Sequence, residues 1–382
     1  MRAFFTKNFK NKKENGINKA FLLLTVIVAL IGTVTVYSAG YAYAEYRYGD
    51  NLYFAKRQTL WLICGLIIMV ASSHIPLKRV KKLSPLAFLL TLILLGLTLI
   101  FGMVGNGAQR WISLGPVTFQ PSEIAKLTLI LILARYFSDK EELIEDRRNK
   151  RKTFVYATLI PFGIMLVPIL LVMLQKHLSC IIILGTIGLI MIFLSGGGLK
   201  YLGGFIGMGA LGVSYIALFT DYTKDRITVW QNPEAYKLTG GWQTLQGLMA
   251  IGSGGLFGKG FGKGELKYCY VSEPANDMIF AILCEESGLI GALTVILLFG
   301  ILIYSGFKIG MKQKDSFARL TVLGISSKIA IQVLLNLGVV TNSIPNTGIS
   351  LPFFSYGGSS LVMLFFEMGL ILSASREIKE WK

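Results

Sequence analysis

Residues 84–104 read SPLAFLLTLILLGLTLIFGMV, a stretch without a single charge. About 20 apolar residues in α-helix cross a hydrocarbon core roughly 30 Å thick, so this segment alone can span a bilayer. Outward from it, comparable runs fall at about 20–38, 58–74, 121–137, 153–174, 178–195, 199–219, 277–304, 317–340 and 350–374. The expected fold class is an all-α integral membrane protein with ten transmembrane helices, one polytopic membrane domain over residues 1–382. Composition agrees: 53% of the residues are hydrophobic and 15% charged, against about 25% charged in a soluble domain. A soluble globular protein, a disordered chain, a coiled coil and a disulfide-stapled secreted module are all excluded by these figures. Ala42-Tyr43-Ala44 looks like a cleavage site behind the first run. That run exceeds the usual 7–15 residues of a secretory signal, which favours a retained helix.

The formal charge of +17 has to be read by position. Basic residues concentrate in cytoplasmic loops. With both termini and alternate loops in the cytoplasm, residues 1–19 form a basic cytoplasmic tail. The inner side then holds twenty-four Lys and Arg and the outer side twelve. The opposite orientation would invert that ratio. Most of the charge is therefore a topological signal, and no nucleic acid partner is expected. This orientation places one large loop, about 220–276, outside the cytoplasm between helices 7 and 8.

Metal and nucleophile chemistry has little raw material. Cys64, Cys180 and Cys284 lie in apolar runs, Cys269 in a polar loop, and the two histidines are His74 and His177. Charges at membrane depth are costly and are functional candidates by default. Glu123 and Lys126, spaced i,i+3 behind Pro121, share one helical face; they form either an intrahelical ion pair or a substrate-facing pair. Arg110 and Trp111 sit in the outer loop before them, where a guanidinium binds phosphate in a fork and an indole stacks on a sugar or anchors the helix. Asp277 stands where the long loop enters the bilayer, near Glu273, Lys259 and Lys263. It is a candidate general base, a candidate ligand for a divalent cation such as Mg2+ or Mn2+, or simply an N-terminal helix cap. Glu285 and Glu286 are expected to find structural partners such as Lys328. Lys328, Gln332 and Asn336 recur at i, i+4, i+8 as one polar stripe, expected to pack between helices. Residues 345–360, with two prolines and three glycines, cannot make a plain helix and fit a cavity wall. The glycines of 252–264, with Lys259 and Lys263, offer a weak phosphate-cradle signal.

Four long stretches now stand together: GAQRWISLGPVTFQPSEIAK (107–126), AIGSGGLFGKG (250–260), DMIFAILCEESG (277–288) and TGISLPFFSYGGSS (347–360). In this order they resemble the signatures of the SEDS family (shape, elongation, division, sporulation). Val36-Tyr37-Ser38-Ala39 and Tyr53-Phe54-Ala55-Lys56-Arg57-Gln58 look closest to its FtsW branch and sporulation relatives, with RodA next. The resemblance implies a peptidoglycan glycosyltransferase of the bacterial cytoplasmic membrane, polymerising lipid II at the outer leaflet beside a class B penicillin-binding protein and other divisome or elongasome membrane proteins. It implies that the family's essential aspartate is Asp277, its Arg-Trp pair Arg110 and Trp111, and its charged pair Glu123 and Lys126. With a pyrophosphate leaving group, Arg110, Lys259, Lys263 and Lys126 become the expected anion-binding cations. Two departures are visible. Lys176-His177-Leu178-Ser179 stands where the family commonly has Pro-Asp-Leu-Gly, and Ala275-Asn276 precedes Asp277 where His-Thr is usual, with Met278 in place of Phe. Two other readings compete: a lipid II flippase, kept alive by the stripe on 328–336, and a non-catalytic scaffold for a penicillin-binding protein.

Overall fold

A computed structural model describes residues 16–378 apart from 106–107, 116, 146–152, most of 197–220, and 269. The chain runs α1 (Lys19–Tyr48), α2 (Tyr53–Ser72), α3 (Leu77–Phe101), strands β1 (Met103–Gly105), β2 (Ala108–Leu114) and β3 (Val117–Phe119), then α4 (Pro121–Asp139) and short α5 (Glu141–Glu145). A π-turn (Val155–Leu159) leads into α6 (Ile160–Leu174), followed by α7 (Leu178–Leu194), α8 (Asp221–Gln231), α9 (Trp242–Ser253), α10 (Ile279–Met311), α11 (Ser316–Val340) and α12 (Gly358–Arg376). Seven of these helical segments are long and apolar enough to cross a membrane: α1, α2, α3, the π-turn with α6, α10, α11 and α12. α4 has the length but carries Glu123, Lys126, Arg135 and Asp139; α7 is apolar but only 17 residues long. The expected run at 199–219 lies outside the described residues.

Local sequence explains the ends and the irregularities. Asn18 caps α1 by accepting from the Phe21 N–H, and Gly49 ends it in the left-handed conformation, the usual asymmetry of helix termini. The wide turn at 155–159 precedes Pro161, which has no N–H to donate to residue 157 and whose ring crowds that carbonyl; the Ile160 N–H instead bonds to the Val155 carbonyl, a π-type bond.

The helices are inside out relative to a soluble bundle. α2 exposes Leu60, Ile63, Ile67 and Val70 along one face and buries Gln58, Gly65 and Ser72 on the other. Hydrocarbon takes the apolar face, so helix contacts rest on small residues that let backbones approach. A Cβ at Gly65 would run into the Phe365 ring of α12, and one at Gly369 into Ser72 of α2. α11 and α12 are the most enclosed of the seven, each with two thirds of its apolar window buried.

Three features depart from the reading of the sequence. Residues 103–119 form a three-stranded antiparallel sheet, with Met103 opposite Trp111 and Ile112 opposite Phe119, so Arg110 and Trp111 sit on a strand and the protein is not wholly α. Long loop 220–276 contains two helices, α8 and α9. Its glycine-rich turn spends backbone groups on packing against α10: Lys259 and Gly260 donate their N–H groups to the Glu285 and Glu286 carbonyls, while Leu289 and Ile290 donate to Gly255 and Leu256. That seam is built on a break in α10 at Gly288, whose φ of 66° and ψ of −168° belong to a region open essentially to glycine only. A Cβ there would also strike Gly258 N and Leu256 O. Gly288→Ala is therefore expected to cost about 2 kcal/mol or more, read as a lowered melting temperature of the detergent-solubilised protein.

Glu285 and Glu286 do not pair with Lys328 as expected. Lys259 reaches Glu285 at 2.9 Å, and Lys267 reaches Glu286 at 2.6 Å, with Ser38 of α1 also donating to Glu286. Lys328 instead meets Glu367 of α12 at 2.6 Å, both fully buried. The geometry favours these partners because the seam brings the 259–267 turn to the α10 break, whereas Lys328 on α11 lies against Glu367 on α12.

Candidate functional site: a cationic cavity around Asp277

One cavity of about 730 Å³ collects helix ends distant in sequence. Tyr53 and Arg57 enter it from the start of α2, Arg110 and Trp111 from β2, Glu123 and Lys126 from the start of α4, His177 and Ser179 from the start of α7, and Asp277 from the segment before α10. Gly348 and Tyr356 reach it from the irregular stretch before α12. Alternating chain direction explains this gathering: the starts of α2, α4, α10 and α12 lie at the same end of the bundle, along with the sheet that follows α3.

Asp277 does not cap a helix. α10 starts at Ile279 with Met278 as its cap residue, and no side chain bonds there, so the carboxylate is left to the cavity. Its backbone is held from three sides. Asn336 Nδ2 donates to the Asp277 carbonyl at 2.9 Å and to the Ile349 carbonyl at 2.7 Å. Ser355 Oγ donates to the Asn276 carbonyl at 2.7 Å while accepting from Leu351 N–H, and Tyr356 N–H donates to the Ala275 carbonyl. The non-helical stretch 345–357 thus clamps 275–277. Phe353, at φ 64°, stores strain in that clamp of a kind that persists only where the surroundings over-determine it.

The Asp277 carboxylate accepts from Gln243 Nε2 at 3.2 and 3.3 Å. Burial, with the Glu273 charge second, pushes its pKa up to about 6, against the opposing pull of Gln243 and Arg226. Charge removal from water and a like charge nearby both favour the protonated form. A base whose pKa sits just below neutrality is ionised at pH 7 and still a competent proton acceptor. Glu273→Gln removes the like charge, so ionisation becomes easier and the acidic limb of the activity profile moves to lower pH. Gln243→Leu removes a donor to the ionised form and moves the limb up. Initial rates across pH 5–8 read both shifts, and unchanged or reversed limbs would contradict the assignment.

The remaining candidates divide. Glu123 and Lys126 are both an ion pair, at 2.7 Å, and cavity-lining residues, with Ser360 Oγ donating to Glu123. Arg110 donates to the Lys176 carbonyl at 3.1 Å. Within the stripe on α11, Gln332 lines the cavity, Asn336 lies behind Asp277, and Lys328 sits buried with Glu367. Lys259 and Lys263 are not brought to the cavity: Lys259 is bonded to Glu285 and Lys263 is exposed. Residues not foreseen as site residues take their place. Arg57 lies 4.3 Å from the centre of the Tyr53 ring, Arg226 donates to the Asn346 carbonyl, and Gln243 holds Asp277. Tertiary placement alone assigns Gln243, Arg57 and Arg226 to the cavity.

A protein-built divalent-cation site does not fit. Among the described residues no three His, Cys, Asp or Glu side chains come together in a way that could hold one, and Glu273 already accepts from Asn276.

The model of the FtsW/RodA/SpoVE cell cycle protein family matches residues 18–380. The chain belongs to this family. Among curated family members, stage V sporulation protein E of Bacillus subtilis is 38% identical, over 95% of this chain and 98% of its own. The probable peptidoglycan glycosyltransferase FtsW of the same organism is 34% identical, over 94% and 91%. Among solved structures, a chain of a peptidoglycan synthase complex, described as coordinating polymerization and crosslinking, superposes with a TM-score of 0.79 at 25% identity, over 95% of this chain and 99% of that one. The rod shape determining protein RodA of Thermus thermophilus superposes with 0.69 at 27%, over 95% and 98%. Family membership and the apolar helices make this FtsW/RodA/SpoVE protein a multi-pass protein of the cytoplasmic membrane.

Proposed function

We propose that the chain is a peptidoglycan glycosyltransferase that polymerises lipid II at the outer face of the membrane. The observation that carries this reading is the meeting, in one cavity, of a carboxylate with a raised pKa and four cations, Arg57, Arg110, Lys126 and Arg226. Asp277 accepts the proton of a sugar 4-hydroxyl as its oxygen attacks the anomeric carbon of a second lipid-linked sugar. The C1–O4 bond forms, the bond from C1 to phosphate oxygen breaks, and its electron pair leaves on the pyrophosphate. Preorganised cations stabilise that departing charge. Lys126 is aimed by Glu123, and Trp111 offers a stacking face for a sugar ring. In this reading ten helices span the membrane. Both termini are cytoplasmic, and the 220–276 loop is external. A class B penicillin-binding protein is the expected partner, supported by the likeness to a polymerising and crosslinking complex.

A flippase would need polar residues available through the membrane depth. The deepest charges, Lys328 and Glu367, are closed on each other with no exposure. The test is reconstitution of the purified chain, with its cognate penicillin-binding protein, in vesicles carrying labelled lipid II. Glycan polymer is expected; lipid II crossing the bilayer without polymer would favour the transporter.

A further inference from the structure

His177 opens α7 and lines the cavity, and it takes no part in the proposed glycosyl transfer. The residue is 8% exposed, and its Nδ1 is buried with no hydrogen-bond partner. Two further cavity-lining residues carry buried polar atoms in the same condition on neighbouring segments: Arg110 Nε and Thr347 Oγ1. Leaving a buried donor or acceptor unpaired costs about 1–3 kcal/mol, so three on one wall is a costly arrangement unless a ligand completes it. The wall is tied together. Arg110 donates to the Lys176 carbonyl, one residue before His177, and Ser179 donates to the Thr347 carbonyl. Lys176 holds a left-handed φ of 56°, a conformation uncommon for a side chain of this kind, and it is the residue that sets His177 at the start of α7.

The chemistry of the three atoms selects the ligand. Arg110 Nε can only donate, and a hydroxyl and an imidazole can both donate. Burial, reinforced by the Arg110 and Lys126 charges, holds His177 well below the usual histidine range, so the ring is neutral at pH 7 and Nδ1 can carry its one proton. Three donors lining one cavity, one of them a guanidinium and with the Lys126 charge acting on the same site, match an oxyanion better than a sugar hydroxyl. Gln332 Oε1, also buried and unpartnered, is the acceptor on the opposite chemistry and suits the attached sugar.

We propose that Arg110 Nε, His177 Nδ1 and Thr347 Oγ1 form a subsite for a phosphate oxygen of the prenyl-pyrophosphate substrate, each donating a hydrogen bond to it. The subsite rests on the polymerase reading for its ligand but can be tested without turnover. The chain has two histidines, so ¹⁵N-histidine labelling of the full-length protein, with His74→Gln for assignment, isolates the His177 ring. Geranyl pyrophosphate is expected to shift its nitrogen signals while geranyl alcohol at equal concentration does not. Equal response to both, or to neither, overturns the subsite. In the polymerisation assay, His177→Leu and Thr347→Val are each expected to raise the KM for lipid II about tenfold, the size of one lost charge-assisted hydrogen bond, with kcat less affected. His177→Asn, which keeps a donor near Nδ1, is expected to recover most of the loss. If the leucine variant folds and keeps its KM, the subsite is wrong. A pyrophosphate-specific shift in a wild-type protein that makes no polymer would sink the polymerase reading and leave the subsite standing.

Discussion

Asp277→Asn is expected to lower glycan polymerisation by about 10²- to 10⁴-fold, the usual contribution of a positioned general base, without loss of folded protein. Asparagine keeps the shape and can still pair with Gln243, and the backbone contacts from Asn336, Ser355 and Tyr356 do not involve the carboxylate. The sign of the stability change follows from the pKa. The folded state holds the Asp277 proton more tightly, near pH 6 against 3.8 for the ordinary value. The stabilisation from that tighter proton is complete below the ordinary value and is lost as pH rises through about 6. At pH 7 the ionised side chain is therefore a net burden, and Asp277→Asn should melt at the same temperature as wild type or higher. Polymer ladders and melting curves on one preparation check both halves. An inactive variant that also unfolds early would mean a structural aspartate, and full activity would end the base assignment.

Lys328→Met is expected to be the most damaging single change to stability, by about 3–5 kcal/mol, because it leaves Glu367 charged and unpaired in the bundle centre. The Lys328 ammonium bonds to both Glu367 oxygens, at 2.6 and 2.7 Å, with both residues fully buried. Glu367→Leu alone should be comparably harmful. The double variant should recover most of the loss, since a matched apolar pair carries no desolvation penalty. A double-mutant cycle on melting or denaturant curves isolates the coupling. Additive losses would show that the two charges do not depend on each other.

Much of the architecture was legible because a bilayer imposes a length and a polarity on each crossing. The runs at 121–137, 178–195 and 317–340 reappear as α4, α7 and α11 within a residue or two. The strands at 103–119 were not legible: their hydrogen bonds are between segments, and alternation over three to seven residues is a weak signal. The same holds for ion pairs. Glu123 and Lys126 are neighbours on one helix and could be paired by spacing, whereas Lys267 with Glu286 and Lys328 with Glu367 lie 19 and 39 residues apart. No periodicity joins those positions.

The amino-acid sequence by itself determined that the protein is a helical membrane protein and which charges sit near helix ends, and it marked Asp277, Arg110, Trp111, Glu123 and Lys126 as candidates, all of which line the cavity. Those properties follow from local composition, since hydrophobic length and the cost of charge act residue by residue. Only the tertiary structure decided which cations share a cavity with Asp277. It retired Lys259 to a bond with Glu285, brought Arg57, Arg226 and Gln243 to the cavity, and placed His177 against Arg110 with an unpaired nitrogen. Contacts of this kind depend on which helix ends share one side of the bundle, and that is set by packing over the whole chain.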